Sequence, residues 1–312
     1  MKLIVTIPAF NEEKTISKVI AEIPKKIPYV SSVSVLVIDD GSTDNTAKIA
    51  RKMGATVISN SKNMGLAYSF SRGLQNALEM GADIIVNTDA DFQYDQRQIP
   101  LLAGPVAQGK ADIVLGSRFL GTIESMPPEK KTGNMIVSSI MSFLVGQKIT
   151  DSQTGFRAFS REAAMRINIF SDYTYTQETI LEAWENKLSI IEVPVDFRKR
   201  EGKSRLISNI FVYAHRAGLT ILKTYINYKP MKVFSVLGGT MLLAGTFLGL
   251  RVLLHYLNTG LVYTQLSAIL VSAVLLIVGF QVLVFGMLAE ITKRNRKVQE
   301  EALYLQKKAA YK

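Results

Sequence analysis

The sequence predicts an α/β domain built on a mostly parallel sheet, followed by a hairpin of two membrane-spanning helices. Three observations carry this. Over residues 1–200, short runs rich in Ile, Val and Thr alternate with stretches of helical periodicity. Val233 to Leu250 and Leu261 to Ala289 contain no charged residue. Basic residues collect just outside those two runs.

The sheet elements come in order. Leu3–Ile7 reads as a strand from its Ile, Val and Thr content, and Glu12–Ile23 as a helix with Ile16, Val19, Ile20 and Ile23 on one face. Val33–Ile38 is nearly all apolar, the pattern of a strand buried on both sides. Ser42, Thr43 and Asp44 supply helix-capping chemistry before a helix over Thr46–Met53. Thr56–Ser59 follows as a strand, Leu66–Met80 as a helix, and Asp83–Asn87 and Ile113–Gly116 as further strands. In such a sheet, ligands sit beyond the carboxyl ends of the strands.

The first apolar run spans a bilayer core of roughly 30 Å if Lys232 and Arg251 snorkel, and the second spans with residues to spare. His255–Gly260 is expected to be the loop between them. Two buried core helices are the bland alternative. Lys223, Lys229 and Lys232 precede the first run, and Lys293, Arg294, Arg296 and Lys297 follow the second, so both flanks are expected on the cytoplasmic side. The start of the chain shows no signal-peptide pattern. The expected organisation is a cytoplasmic domain over 1–205, an amphipathic interfacial helix or linker over 206–230, two spans over 231–290, and a basic tail over 291–312. Met135–Val145 reads either as a second interfacial helix or as an ordinary helix packed on the sheet.

Composition narrows the chemistry. The 312 residues are 48% hydrophobic, which excludes a mainly disordered chain. With no cysteine there is no disulfide scaffold, thiolate zinc site or cysteine nucleophile. Two histidines, His215 and His255, argue against a multi-histidine metal site or a Ser-His-Asp triad. The net charge of +11 sits mostly beside the apolar runs, which points to a membrane surface and away from nucleic acid.

Acidic residues follow three of the strands: Glu12 and Glu13, then Asp39, Asp40 and Asp44, then Asp89 and Asp91. Crowded carboxylates repel one another, and a hard divalent cation, Mg²⁺ or Mn²⁺, offsets that repulsion. The pattern therefore suits a metal-bound diphosphate. Asp44 reads equally well as a helix-capping residue, and Gly41, Asn63 and Gly65 as plain turn residues.

These segments resemble the inverting family-two glycosyltransferases of the Rossmann-like GT-A fold, and more narrowly the polyprenyl-phosphate (dolichyl-phosphate) sugar synthases. The matching stretches are PAFNEE at 8–13, DDGSTD at 39–44, NMGLAYSFSRG at 63–73, DADFQ at 89–93, GSRF at 116–119, DSQTGFRAF at 151–159, QE at 177–178 and VPVDFRKREGKSR at 193–205. The resemblance implies that Pro8, Ala9, Asn11 and Glu12 line a nucleoside pocket and that Asp39 holds the base or ribose. It implies that Asp89 contacts the donor ribose or sugar, that Asp91 ligates the metal, and that Gln93 sits beside metal and diphosphate. Arg118 is expected to face the acceptor phosphate. Arg200, Ser204 and Arg205 belong to a basic loop over the phosphates, whose bland reading is a solvated loop. Glu178 takes the position of the catalytic carboxylate. Lys130 and Lys131 stand where relatives often carry two arginines, which replaces a fork by point charges.

The implied reaction moves a hexose from a UDP- or GDP-linked sugar to a polyprenyl phosphate, with inversion, at the cytoplasmic face of the cell membrane. Homo-oligomers are compatible with it. A family-two transferase acting on a lipid-linked glycan hydroxyl is the alternative. A processive polysaccharide synthase fits poorly, because Trp184, the one tryptophan, lacks the expected preceding arginine.

Overall fold

The computed structural model describes residues 1–169, 175–199 and 229–311. These form two compact units: 1–199 with 301–311, and 229–300. The first unit holds seven strands: β1 (Lys2–Ala9), β2 (Ser32–Asp39), β3 (Thr56–Ser59), β4 (Ile84–Asn87), β5 (Ile113–Ser117), β6 (Arg157–Ser160) and β7 (Ile190–Pro194). They make one sheet in the order β3-β2-β1-β4-β6-β5-β7. Its described helices are α1 (Ile16–Glu22), α2 (Thr46–Lys52), α3 (Leu66–Glu79), α4 (Ile99–Ala107), α5 (Pro128–Val145), α6 (Arg161–Arg166) and α7 (Tyr175–Glu185).

All pairings are parallel except those of β6, which runs antiparallel to β4 and β5. The carboxyl ends of the six parallel strands therefore open on one rim, and the amino end of β6 opens on the same rim. Side chains alternate across the sheet. Leu3, Val5 and Ile7 enter a core shared with α1 and α4. Ile4 and Thr6 are buried on the opposite face, where α3 packs so closely that a Cβ on Gly73 would lie 3.5 Å from Thr6. Burial on both faces explains why the central strands read as almost unbroken apolar runs.

Helix α1 starts later than its periodicity suggests. Residues 11–13 turn their main-chain N–H groups toward residues 42–46, and the Glu12 carbonyl accepts the Ile16 N–H at 3.0 Å. Residues 301–311, expected as part of the tail, fold against α6. Tyr304 is buried, the Arg166 guanidinium stacks 3.8 Å from its ring centre, and its hydroxyl donates to Glu162 at 3.1 Å. Lys307 donates to Asn168 at 2.8 Å, and Arg161 donates to the Tyr311 carbonyl.

The second unit consists of α8 (Pro230–Thr259) and the part of α9 (Leu266–Ala310) before residue 301. Both helices are long and apolar enough to cross a membrane. Small residues bring them together, as expected where no hydrophobic effect separates helix from lipid. A Cβ on Gly238 would lie 2.8 Å from the Gly279 carbonyl oxygen, and Ser272 donates to the Gly245 carbonyl at 2.7 Å. The expected loop over His255–Gly260 is corrected: α8 continues to Thr259. Nothing from His255 to Thr259 disfavours helix, and the stop comes at Gly260, whose φ of 69° suits a left-handed cap. The expected interfacial helix lies outside the described residues except at its last positions.

Candidate active site

Strand β1 delivers Pro8 and Ala9, both buried, to the rim. The chain then turns at Asn11, with φ of 55°. The Asn11 N–H donates to Ser42 Oγ at 3.0 Å, and its Oδ1 accepts the Thr43 N–H at 2.8 Å. The Glu12 N–H donates to Thr46 Oγ1 at 2.8 Å. The turns after β1 and β2 are thus stitched into one surface. Asp39 is buried at the end of β2 and accepts the Ser42 N–H at 3.1 Å.

Asp44 accepts the Thr46 N–H at 2.9 Å, as its capping reading anticipates. Burial works upward on this carboxyl, but bonds from Thr46 and Glu13 hold it below the usual carboxylate value. Asp40 has a role the sequence did not reveal. It accepts from Asn60 Nδ2 at 2.6 Å and from the N–H groups of Met64 and Gly65 at 2.9 Å, so it fixes the loop before α3. The doubled aspartate at 39–40 was the available signal.

Strand β4 delivers Asp89 and Asp91, both half-buried. Asp91 Oδ1 accepts the Gln93 N–H at 3.1 Å across Phe92, whose φ is 64°. This turn is braced by Arg198, also missed from sequence because it lay within a longer basic run. The Arg198 N–H donates to the Gln93 carbonyl at 2.7 Å, and its guanidinium lies 4.5 Å from the Phe92 ring centre. It also pairs with Glu22 at 2.9 Å and Asp95 at 3.2 Å. Asp89, Asp91 and Gln93 offer hard oxygen donors on one short stretch of chain after β4. Among the described residues no three His, Cys, Asp or Glu side chains form a complete cage. Such a set fits a cation whose remaining sites are filled by phosphate oxygens.

The segment before β6 closes the other side. Gly155 is required there: a Cβ would sit 2.7 Å from Asp89 Oδ1 and 3.0 Å from the Tyr175 hydroxyl oxygen. Asn87 Nδ2 donates to the Gly155 carbonyl at 2.8 Å and to the Tyr175 hydroxyl at 3.3 Å. Glu178, half-buried, lies in the first turn of α7, whose Tyr175 hydroxyl meets Asn87 and lies beside Gly155. Burial pushes the Tyr94 hydroxyl up to about 12, and burial with the charge of Asp89 raises Tyr175. Both phenols therefore stay protonated at neutral pH. Burial pushes the Arg157 guanidinium down to about 10, which leaves it charged there.

Arg118 follows β5 to the rim, but its fork is occupied. It is buried and binds Asp151 through Nε at 2.6 Å and Nη2 at 2.8 Å. Lys131 is exposed and Lys130 half-buried near the start of α5. Arg200, Ser204 and Arg205 lie outside the described residues.

Residues 4–167, just over half the chain, match the glycosyl transferase family 2. The chain belongs to that family. This glycosyltransferase is 34% identical to a UDP-N-acetylglucosamine–dolichyl-phosphate N-acetylglucosaminyltransferase of Methanococcus voltae, over 61% of this chain and 82% of the relative. It is 31% identical to a dolichyl-phosphate hexose transferase of Haloferax volcanii, over 65% of this chain and 86% of the relative. Its fold is that of glucosyl-3-phosphoglycerate synthase from Mycobacterium tuberculosis, solved with Mn²⁺ and UDP. The TM-score is 0.54 at 22% identity, over 72% of this chain and 78% of that one. The domain is accordingly a GT-A fold with a mostly parallel sheet, as the sequence pattern and motifs anticipated.

Proposed function

We propose that this glycosyltransferase moves a hexose from a UDP- or GDP-linked sugar to a polyprenyl phosphate at the cytoplasmic face of the cell membrane, with inversion at the anomeric carbon. The observation that carries the reading is the shared rim. The turns after β1, β2 and β4 share it, and α7 reaches it through the Tyr175 hydroxyl. The names of the Methanococcus and Haloferax relatives support the lipid-phosphate acceptor, and the Mn²⁺ and UDP of the Mycobacterium structure support a metal-bound diphosphate donor.

Pro8, Ala9, Asn11, Glu12 and Asp39 form the nucleoside side, and Asp89 faces the ribose or sugar. Asp91 and Gln93 hold Mg²⁺ or Mn²⁺, which when bound stabilises the charge developing on the departing diphosphate. An acceptor phosphate oxygen attacks the anomeric carbon as the bond to the nucleoside diphosphate breaks. A phosphate monoester has a second pKa of about 6, so it arrives ionised and needs no general base. Lys131, with Arg200, Ser204 and Arg205 further along the chain, supplies the acceptor-phosphate contacts, since the Arg118 fork is engaged by Asp151.

Helix α5 serves the approach to the lipid. Val137, Met141 and Leu144 are buried, while Met135, Ile136 and Phe143 are exposed, Phe143 to 74%. Lys131 and Lys148 flank that apolar strip, the composition of a helix lying on an anionic leaflet.

A donor panel offered with a short polyprenyl phosphate and Mg²⁺ or Mn²⁺, read by mass spectrometry, tests the reaction. A polyprenyl monophosphate sugar is expected. An extended lipid-linked glycan instead of that product overturns the reading. Glu178→Gln tests the role of the carboxylate. If Glu178 orients the site, the Gln variant keeps its rate within about tenfold of the parent, whereas loss of a true base costs about 10³-fold and removes one titration from the pH–rate profile.

A further inference from the structure

The stretch DSQTGFRAF at 151–159 contains a charged side chain that the reaction as described does not use. Arg157 has no exposed surface. Its three hydrogen bonds go to main-chain carbonyls: Nε to Thr154 at 2.8 Å, Nη2 to Ser152 at 2.9 Å, and Nη1 to Thr176 at 2.7 Å. The first two belong to the turn that packs on Asp89 through Gly155. The third belongs to the first turn of α7, two residues before Glu178.

Burying a charge is costly, and an apolar side chain of similar bulk would fill the space at lower cost. What an apolar or ammonium group does not supply is a planar fork that fixes three carbonyls from two chain segments at once. We infer that Arg157 is a positioning residue that sets the first turn of α7, and with it Glu178, against the Asp89–Asp91 turn. Asn87 adds a second tie from β4 through its bonds to the Gly155 carbonyl and the Tyr175 hydroxyl. Tyr175 is itself held by stacking on Phe70, with ring centres 4.0 Å apart.

The inference rests on the proposed sugar transfer and is tested by a double-mutant cycle. The detergent-solubilised full chain is prepared as the parent, Arg157→Lys, Glu178→Ala and the double variant. Each is measured for kcat and donor KM, and for UDP binding with Mn²⁺ by calorimetry. Arg157→Lys is expected to lower kcat about 10²-fold, the scale of an ångström-sized misplacement, with donor KM and UDP affinity nearly unchanged. In the Glu178→Ala background the same substitution costs less than about threefold, because its effect passes through Glu178.

Equal losses in the two backgrounds overturn the inference. So does a parallel loss of UDP binding, which marks Arg157 as general support for the fold. If Arg157→Lys does not fold, Tyr175→Phe reports on the same coupling. A fall in kcat of about tenfold that vanishes beside Glu178→Ala supports it, and an undiminished fall there overturns it. If the parent ignores polyprenyl phosphate but glycosylates another acceptor, the functional reading fails, and the cycle run with that acceptor decides the role of Arg157 separately. A parent inactive with every acceptor removes both.

Discussion

Asp91→Ala is expected to lower sugar transfer by about 10³-fold, the cost typical of losing one group that stabilises transition-state charge. The melting temperature should fall by only a few degrees. Asp91 is half-buried and accepts the Gln93 N–H at 3.1 Å. Losing one such hydrogen bond costs about 1 kcal/mol, a few degrees of melting temperature. The loss therefore belongs to the bound state and should appear as a higher Mn²⁺ concentration for half-maximal rate. Transfer rates over a Mn²⁺ titration, beside thermal melts of the same preparations, check both halves. An unchanged rate at saturating donor would place the cation away from this turn and remove the basis for a metal-bound diphosphate.

Much of this was legible because it depends on neighbours in sequence. Strands buried on both faces announce themselves as apolar runs, and the turns after β1, β2 and β4 carry their acidic residues within a few positions of the strand end. What stayed hidden depends on partners far along the chain. β6 is four residues long and begins with Arg157, so it shows neither alternation nor an apolar run, although it reverses the local sheet direction. Asp40 matters through a loop two dozen residues away, and Arg198 through Gln93, Phe92, Glu22 and Asp95. The start of α1 is likewise unmarked: periodicity shows its apolar face but not its first turn. Likewise, nothing in the composition of residues 301–311 shows that Tyr304 is buried on α6 and not part of a solvated tail.

Arg118 gives the second large expected effect, because the sequence pointed its guanidinium at a substrate and the structure gives it to Asp151. Asp151 has no exposed surface and accepts three bonds from Arg118: from Nε at 2.6 Å, from Nη2 at 2.8 Å and from its main-chain N–H at 3.1 Å. Asp151→Asn keeps the shape and removes the charge, leaving a buried guanidinium without its counter-ion. Breaking one side of such a pair costs about 3–5 kcal/mol. At roughly 2–4 °C per kcal/mol for a domain of this size, the melting temperature falls by about 10 °C. The companion variant Arg118→Met with Asp151→Leu buries no charge and should recover most of that loss. Kinetics then separate structure from binding. If Arg118 is only a strut, Asp151→Asn assayed well below its melting point keeps its KM for polyprenyl phosphate within about threefold, since the fork still lies away from the acceptor. A clearly lower KM would mean that the released guanidinium turns to the phosphate, and that Asp151 in the native protein holds it back until the acceptor arrives.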